Sequence, residues 1–163
     1  METNVAGNAL YEELLDQLGT IGPVRRELGR IVPAGCSAGC ATVLSLLGRH
    51  GTVSIGRLTE LLGINVSVTS RYVAQLATLG WVDRSLDPAD RRSRIVRLTP
   101  KGRTRYAEMS DRRSRELAAR LSDWSEADVR RLAGLLSRLR ADFDGPHTGP
   151  PRGARRTTSD RTK

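Results

Sequence analysis

Ser67, Val68, Ser70, Arg71 and Gln75 fall within one short stretch of this 163-residue chain. Wound as a helix, the stretch sets them largely opposite Thr69, Val73, Leu76 and Leu79. Hydroxyl, guanidinium and amide groups at this spacing suit hydrogen bonds to phosphates and base edges. Arg71 can meet guanine or a phosphate. Val68 can meet a thymine methyl or pack locally, and Gln75 sits at the periphery. Downstream, Asp90, Arg91, Arg92 and Arg94 crowd the end of a turn-rich segment, where arginines can reach phosphates or the minor groove. Any single arginine there could instead be a solvated charge, which is the less favoured reading on this segment.

Catalysis has little to draw on. The histidines are His50 and His147, and there is no nucleophile elbow, phosphate loop or recognisable pair of catalytic carboxylates. No catalytic residue and no cofactor is expected. Cys36 and Cys40 are too few for a disulfide scaffold. With Ser37 as a helix cap, Cys40 falls in the first turn, where the helix dipole favours a thiolate and a redox sensor becomes conceivable. Two small buried residues weigh more. A zinc site joining the cysteines to His50 or His147 matches no standard ligand spacing.

The formal charge is +9, from 27 basic and 18 acidic side chains, and arginine supplies 25 of the 27. Such a chain favours polyanions, although GC-rich coding would also enrich arginine. Location says more: from Arg84 to Arg115 there are 11 basic and 4 acidic residues, +7 of the +9. The few aromatics argue against stacking single-stranded bases. No window reaches membrane-spanning length and no basic segment precedes an apolar run at the N-terminus, so a soluble, cytoplasmic protein is expected.

The surrounding elements must position these groups. Apolar residues Leu10, Leu14, Leu18, Ile21, Val24, Leu28 and Ile31 predict a helix over about 8–31, kinked or broken at Gly19, Gly22 and Pro23. After Pro33-Ala34-Gly35, Ser37 caps a second helix that ends near Gly51, and Thr52-Val53 allows a short strand. Ser54 caps a third helix, Ile55 to Leu62, stopped by Gly63. Asn65 caps the fourth, Val66 to Leu79, closed by Gly80. The short link between the two fits helices set at a steep angle. Trp81 to Leu86 and Arg94 to Leu98 read as paired strands. Thr99-Pro100 opens a fifth helix to about Leu121. Ser125 with Asp128 suggests a capping box for a sixth, with Trp124 and Val129 placed for a staple. Its seam of Val129, Leu132, Leu136, Leu139 and Phe143 favours packing on another helix, in a dimer or within one subunit. From Gly145 on, the sequence predicts a disordered basic tail.

Leu58–Leu61 and Gly63, then Asn65, Ser67, Ser70 and Arg71, then Leu76, Gly80, Val82, Asp87-Pro88-Ala89-Asp90-Arg91-Arg92 and Leu98-Thr99-Pro100 with Gly102 resemble the multiple antibiotic resistance regulator (MarR) family. Ser37 with Val43-Leu44 resembles the start of that family's second helix. The resemblance is specific over about 37–102 and holds by pattern only in the flanking helices. It implies a mainly α fold with a small β-hairpin wing, a winged helix-turn-helix flanked by N- and C-terminal dimerisation helices. The divisions would be 1–36 and 100–144 for dimerisation, 37–99 for DNA binding, and 145–163 for the tail. It further implies a homodimer on a pseudo-palindromic double-stranded operator, mostly a repressor released by a small aromatic ligand, an oxidant or a metal. Arg92 matches the position that enters the minor groove in the family, Asp90 would hold the wing's arginines, and Arg91 and Arg94 would meet phosphates or brace the wing. Val68 stands where the family often has a hydroxyl. The alternative is a non-specific architectural nucleoid-type protein that binds DNA or RNA.

Overall fold

The computed structural model describes residues 3–88 and 94–144, with side-chain detail over 8–88 and 94–143. The elements are α1 (Thr3–Thr20), α2 (Gly22–Arg30), α3 (Ala38–His50), β1 (Val53–Ser54), α4 (Ile55–Leu62), α5 (Val66–Thr78), β2 (Val82–Leu86), β3 (Arg94–Leu98), α6 (Pro100–Arg120) and α7 (Glu126–Asp144). The expected fold class stands: mostly helix with a small antiparallel sheet.

The local differences have physical causes. The long first helix is two helices, broken at Ile21, and α2 carries proline in its first turn, where a missing N–H leaves no hydrogen bond unmade. The short strand is Val53–Ser54, and it pairs with β3 through Val53↔Val96 and Ser54↔Ile95, giving a three-stranded sheet in the order β1-β3-β2. Trp81 lies outside the strand. Its N–H donates to the Leu76 carbonyl at 2.9 Å, and its own carbonyl accepts from the Thr99 N–H at 3.0 Å. Trp81 thereby joins the end of α5 to the start of α6, and the strand begins at Val82.

α3 is the central element, packed against α2, α4, α5, α6 and β3. Cys40, Ala41, Val43, Leu44 and Leu47 of α3 are buried with Leu58, Val73, Leu76, Val96, Leu98 and Met109. Each large apolar side chain fully removed from water contributes about 1.5–3 kcal/mol before the entropy of ordering is set against it. Most ion pairs are short-range within one helix, such as Arg30–Glu27 and Arg105–Glu108. Exposed pairs of this kind add little stability.

The chain separates into two compact units, Met1–Arg120 and Leu121–Lys163. In the second, Ser125 Oγ accepts from the Asp128 N–H at 3.1 Å while its hydroxyl donates to Asp128 Oδ2 at 2.6 Å. The Asp128 carboxylate is spent on the cap hydroxyl. α7 leaves Val129, Leu132, Leu135 and Leu136 exposed. The predicted tail at 145–163 lies outside the described residues. Among the described residues no helix is long and apolar enough to cross a membrane.

Candidate nucleic-acid interface

The helix pair α4–α5 is set by three local devices. Ser54 Oγ accepts the Arg57 N–H at 3.1 Å and starts α4. Gly63 ends it at φ 64°, a left-handed conformation that costs a side chain of ordinary shape. Asn65 Oδ1 then accepts the Val68 N–H at 3.0 Å and starts α5 only three residues after α4 stops. So short a link forces the second helix to turn sharply away from the first.

α5 is locked through one face. Thr69, Val73 and Leu76 are fully buried, and the Thr69 hydroxyl donates to the Asn65 carbonyl at 3.3 Å. Leu79 follows the helix as its cap and is half-buried. Ser67, Arg71 and Gln75 are exposed, while Val68 and Ser70 are half-buried. No acidic residue occurs between Val66 and Thr78, so nothing on α5 repels a polyanion or neutralises Arg71. Gln75 is tethered: its Oε1 accepts from the Cys40 thiol at 3.0 Å. Sequence reasoning missed this link, because it joins residues from helices far apart in the chain.

On the wing, Arg94 begins β3 and is exposed. Asp90, Arg91 and Arg92 lie outside the described residues. The two strands pair over their whole length, from Val82↔Leu98 to Leu86↔Arg94, so Arg94 is carried on a two-stranded ribbon.

Cys36 and Cys40 are both buried and free. The Ser37 cap is present, its Oγ accepting from the Cys40 N–H at 3.3 Å. Burial pushes the Cys36 thiol up to about 11, and the charge and hydrogen bond of Cys40 add to this against an opposing pull from Arg113. A thiol so placed holds little thiolate near neutral pH. Among the described residues no cluster of three or more His, Cys, Asp or Glu could hold a metal.

Sequence reasoning also missed Arg113. Its Nε–H donates to the Ile31 carbonyl at 3.2 Å and a terminal N–H to Ser45 Oγ at 3.0 Å, tying α6 to α3 and to the segment after α2. Burial first, then the charge of Arg49, lowers its pKa below the usual arginine value. A signal did exist. Arg113 continues the α6 stripe through Gly102, Tyr106 and Met109, whose members are buried or half-buried.

The family model for MarR matches residues 35–93, which contain the capped helix pair and most of the wing. The chain is 30% identical over 110 residues to an uncharacterised HTH-type transcriptional regulator, YdgJ, of Bacillus subtilis (strain 168), covering 68% of this chain and 67% of that one. The chain belongs to the MarR family. Another relative, a putative transcriptional regulatory protein for the hcr operon of Thauera aromatica, is 30% identical over 116 residues, 69% of this chain and 68% of its own. A MarR transcriptional regulator from Methanosarcina mazei Go1 shares the fold with a TM-score of 0.69 at 24% identity, over 81% of this chain and 96% of its own. Apo MarR from Escherichia coli does so at 0.60 and 22%, over 73% and 92%. As a MarR-family member the chain is a DNA-binding transcription regulator and not an enzyme.

Proposed function

We propose that this MarR-family chain is a sequence-specific repressor that binds a pseudo-palindromic double-stranded operator as a homodimer and is released by a small aromatic acid. The observation that carries the reading is α5, buried through Thr69, Val73 and Leu76 and open through Ser67 and Arg71, with no acidic side chain. Such a helix can enter the major groove as a rigid body. Ser67, Val68, Ser70, Arg71 and Gln75 are its contact residues, and Arg91, Arg92 and Arg94 are those of the wing, with Asp90 holding the arginines in place.

The dimer is supported by apolar side chains left exposed among the described residues of each unit. Leu10 and Leu15 on α1 are 66% and 68% exposed, and Leu132, Leu135 and Leu136 on α7 lie between 40% and 56%. Faces of this kind on terminal helices suit burial against a second copy.

For the effector, a cleft of about 390 Å³ is lined by Leu47, Leu98, Tyr106 and Arg103, while Arg97 at its edge is already paired with Asp83. Apolar walls with the Arg103 cation suit a planar acid. The cysteines are the weaker choice of sensor because the Cys36 thiol stays protonated. A band shift on DNA from upstream of the protein's own coding sequence tests the reading, repeated with aromatic acids, an oxidant and a chelator. Release by an aromatic acid alone is the expected outcome. Release by oxidant alone would move the sensing role to the cysteines.

A further inference from the structure

The two faces of the wing differ in charge. Along the β2–β3 register, Arg84 stands opposite Val96 and Leu86 opposite Arg94, whereas Asp83 stands opposite Arg97 and Ser85 opposite Ile95. Side chains alternate across a strand. Arg84, Leu86 and Arg94 therefore share the face that begins with the buried Val82, Val96 and Leu98. Asp83, Ser85, Ile95 and Arg97 share the other.

On that second face Asp83 and Arg97 meet at 3.7 Å and neutralise each other. On the first, neither Arg84 nor Arg94 has a carboxylate partner among the described residues, and both are exposed. They sit diagonally across the ladder, with Cα atoms about 7–8 Å apart by strand geometry. Leu86 lies in register with Arg94 and is 53% exposed, an apolar side chain with no core to fill.

We propose that the wing docks on DNA through the Arg84–Leu86–Arg94 face and not through the Asp83–Arg97 face. Arg84 and Arg94 each take a backbone phosphate, and Leu86 lies against the apolar edge of the sugar between them. Arg84 is the new contact; sequence reasoning had counted its charge without assigning it a role. The opposite face is disfavoured on simple electrostatic grounds. Docking it would desolvate an existing ion pair and bring a carboxylate towards phosphates. The proposal rests on the DNA-binding reading above and adds to it which side of the ribbon meets the duplex.

The test uses the full chain and the tightest-binding duplex that it selects from a randomised library. Dissociation constants are measured from 50 to 200 mM salt for the wild type, Arg84→Ala, Arg84→Lys and Arg97→Ala. Each lost phosphate contact lowers the slope of log K against log salt by about 0.9, or about 1.8 for a dimer with two wings. Arg84→Ala is expected to lose that amount, while Arg84→Lys keeps most of it and Arg97→Ala keeps all of it. An unchanged slope for Arg84→Ala, or an equal loss for Arg97→Ala, overturns the proposal while leaving the DNA-binding reading intact. If the wild type selects no duplex over random-sequence DNA, sequence-specific regulation fails instead. The slopes measured on that random-sequence DNA still decide which wing face is used.

Discussion

The carbonyl oxygen of Trp81 occupies the space in which Gly102 would carry a Cβ: an ideal Cβ there stands 1.9 Å from that oxygen. The same carbonyl accepts the Thr99 N–H, the Thr99 hydroxyl donates to the Gly80 carbonyl at 2.8 Å, and Lys101 Nζ donates to the Leu79 carbonyl at 3.1 Å. The first turn of α6 thus satisfies carbonyls just past the end of α5 that would otherwise lack partners. Leu98-Thr99-Pro100-Lys101-Gly102 reads physically as a clamp: a cap, a helix-starting proline, a cation on the helix end and a gap where a side chain cannot fit.

Gly102→Ala should therefore destabilise the fold by at least the 1–3 kcal/mol typical of overpacking, because the obstacle is backbone. Gly48→Ala makes a useful comparison. Its Cβ would meet the Tyr106 ring at 2.5 Å, and a ring can swing aside. Thermal melting should show a larger drop for Gly102→Ala than for Gly48→Ala. The reverse order would remove the clamp from the account.

Arg113→Met should cost about 1–3 kcal/mol, since it removes the donor to the Ile31 carbonyl and the one bond that Ser45 Oγ accepts, the Ser45 hydroxyl still donating to the Ala41 carbonyl. Urea unfolding provides the measurement. A midpoint equal to the wild type would mean that water replaces the guanidinium without loss.

The Cys36 thiol is raised from 9.0 to about 11. The folded state thus favours the protonated form, and this contribution to stability is complete below pH 9 and disappears as pH climbs through about 11. A rise of that size leaves about 100-fold less thiolate near neutrality. Iodoacetamide at about pH 7.5 should consequently modify Cys36 about 100-fold more slowly in the native than in the urea-unfolded protein, read at that residue by peptide mass spectrometry. Comparable rates would restore Cys36 as a reactive sensor.

The sequence disclosed the local devices well, because caps act over three or four residues: Ser37, Ser54 and Asn65 all accept the N–H that their positions imply. The inward face of α5 was legible for the same reason, Thr69, Val73 and Leu76 repeating at helical spacing. Contacts between distant segments were not legible. The Cys40–Gln75 bond joins positions 35 residues apart and the Arg113–Ser45 bond positions 68 apart, so neither leaves a periodic trace. The pairing of β1 with β3 was hidden likewise, since a strand of two residues is too short to show alternation.

If α7 packs on a second copy, Leu136→Glu should halve the sedimenting mass at micromolar concentration and weaken operator binding by at least tenfold. The helix itself should persist, because Leu136 is 41% exposed in the single chain. A mass unchanged from the wild type would place the dimer elsewhere.

Sequence reading by α5 is tested by competition between the duplex selected by the wild type and a scrambled duplex of equal length, at about 150 mM salt, for the wild type and Arg71→Ala. The expected selected site is an inverted repeat with half-site centres about 34–36 Å apart, one turn of DNA. The wild type should prefer it by about 10³-fold or more. Arg71→Ala should lose about 1–3 kcal/mol of that discrimination. Equal affinity of the wild type for selected and scrambled DNA would contradict a sequence-reading α5 and leave a protein that recognises only the phosphate backbone.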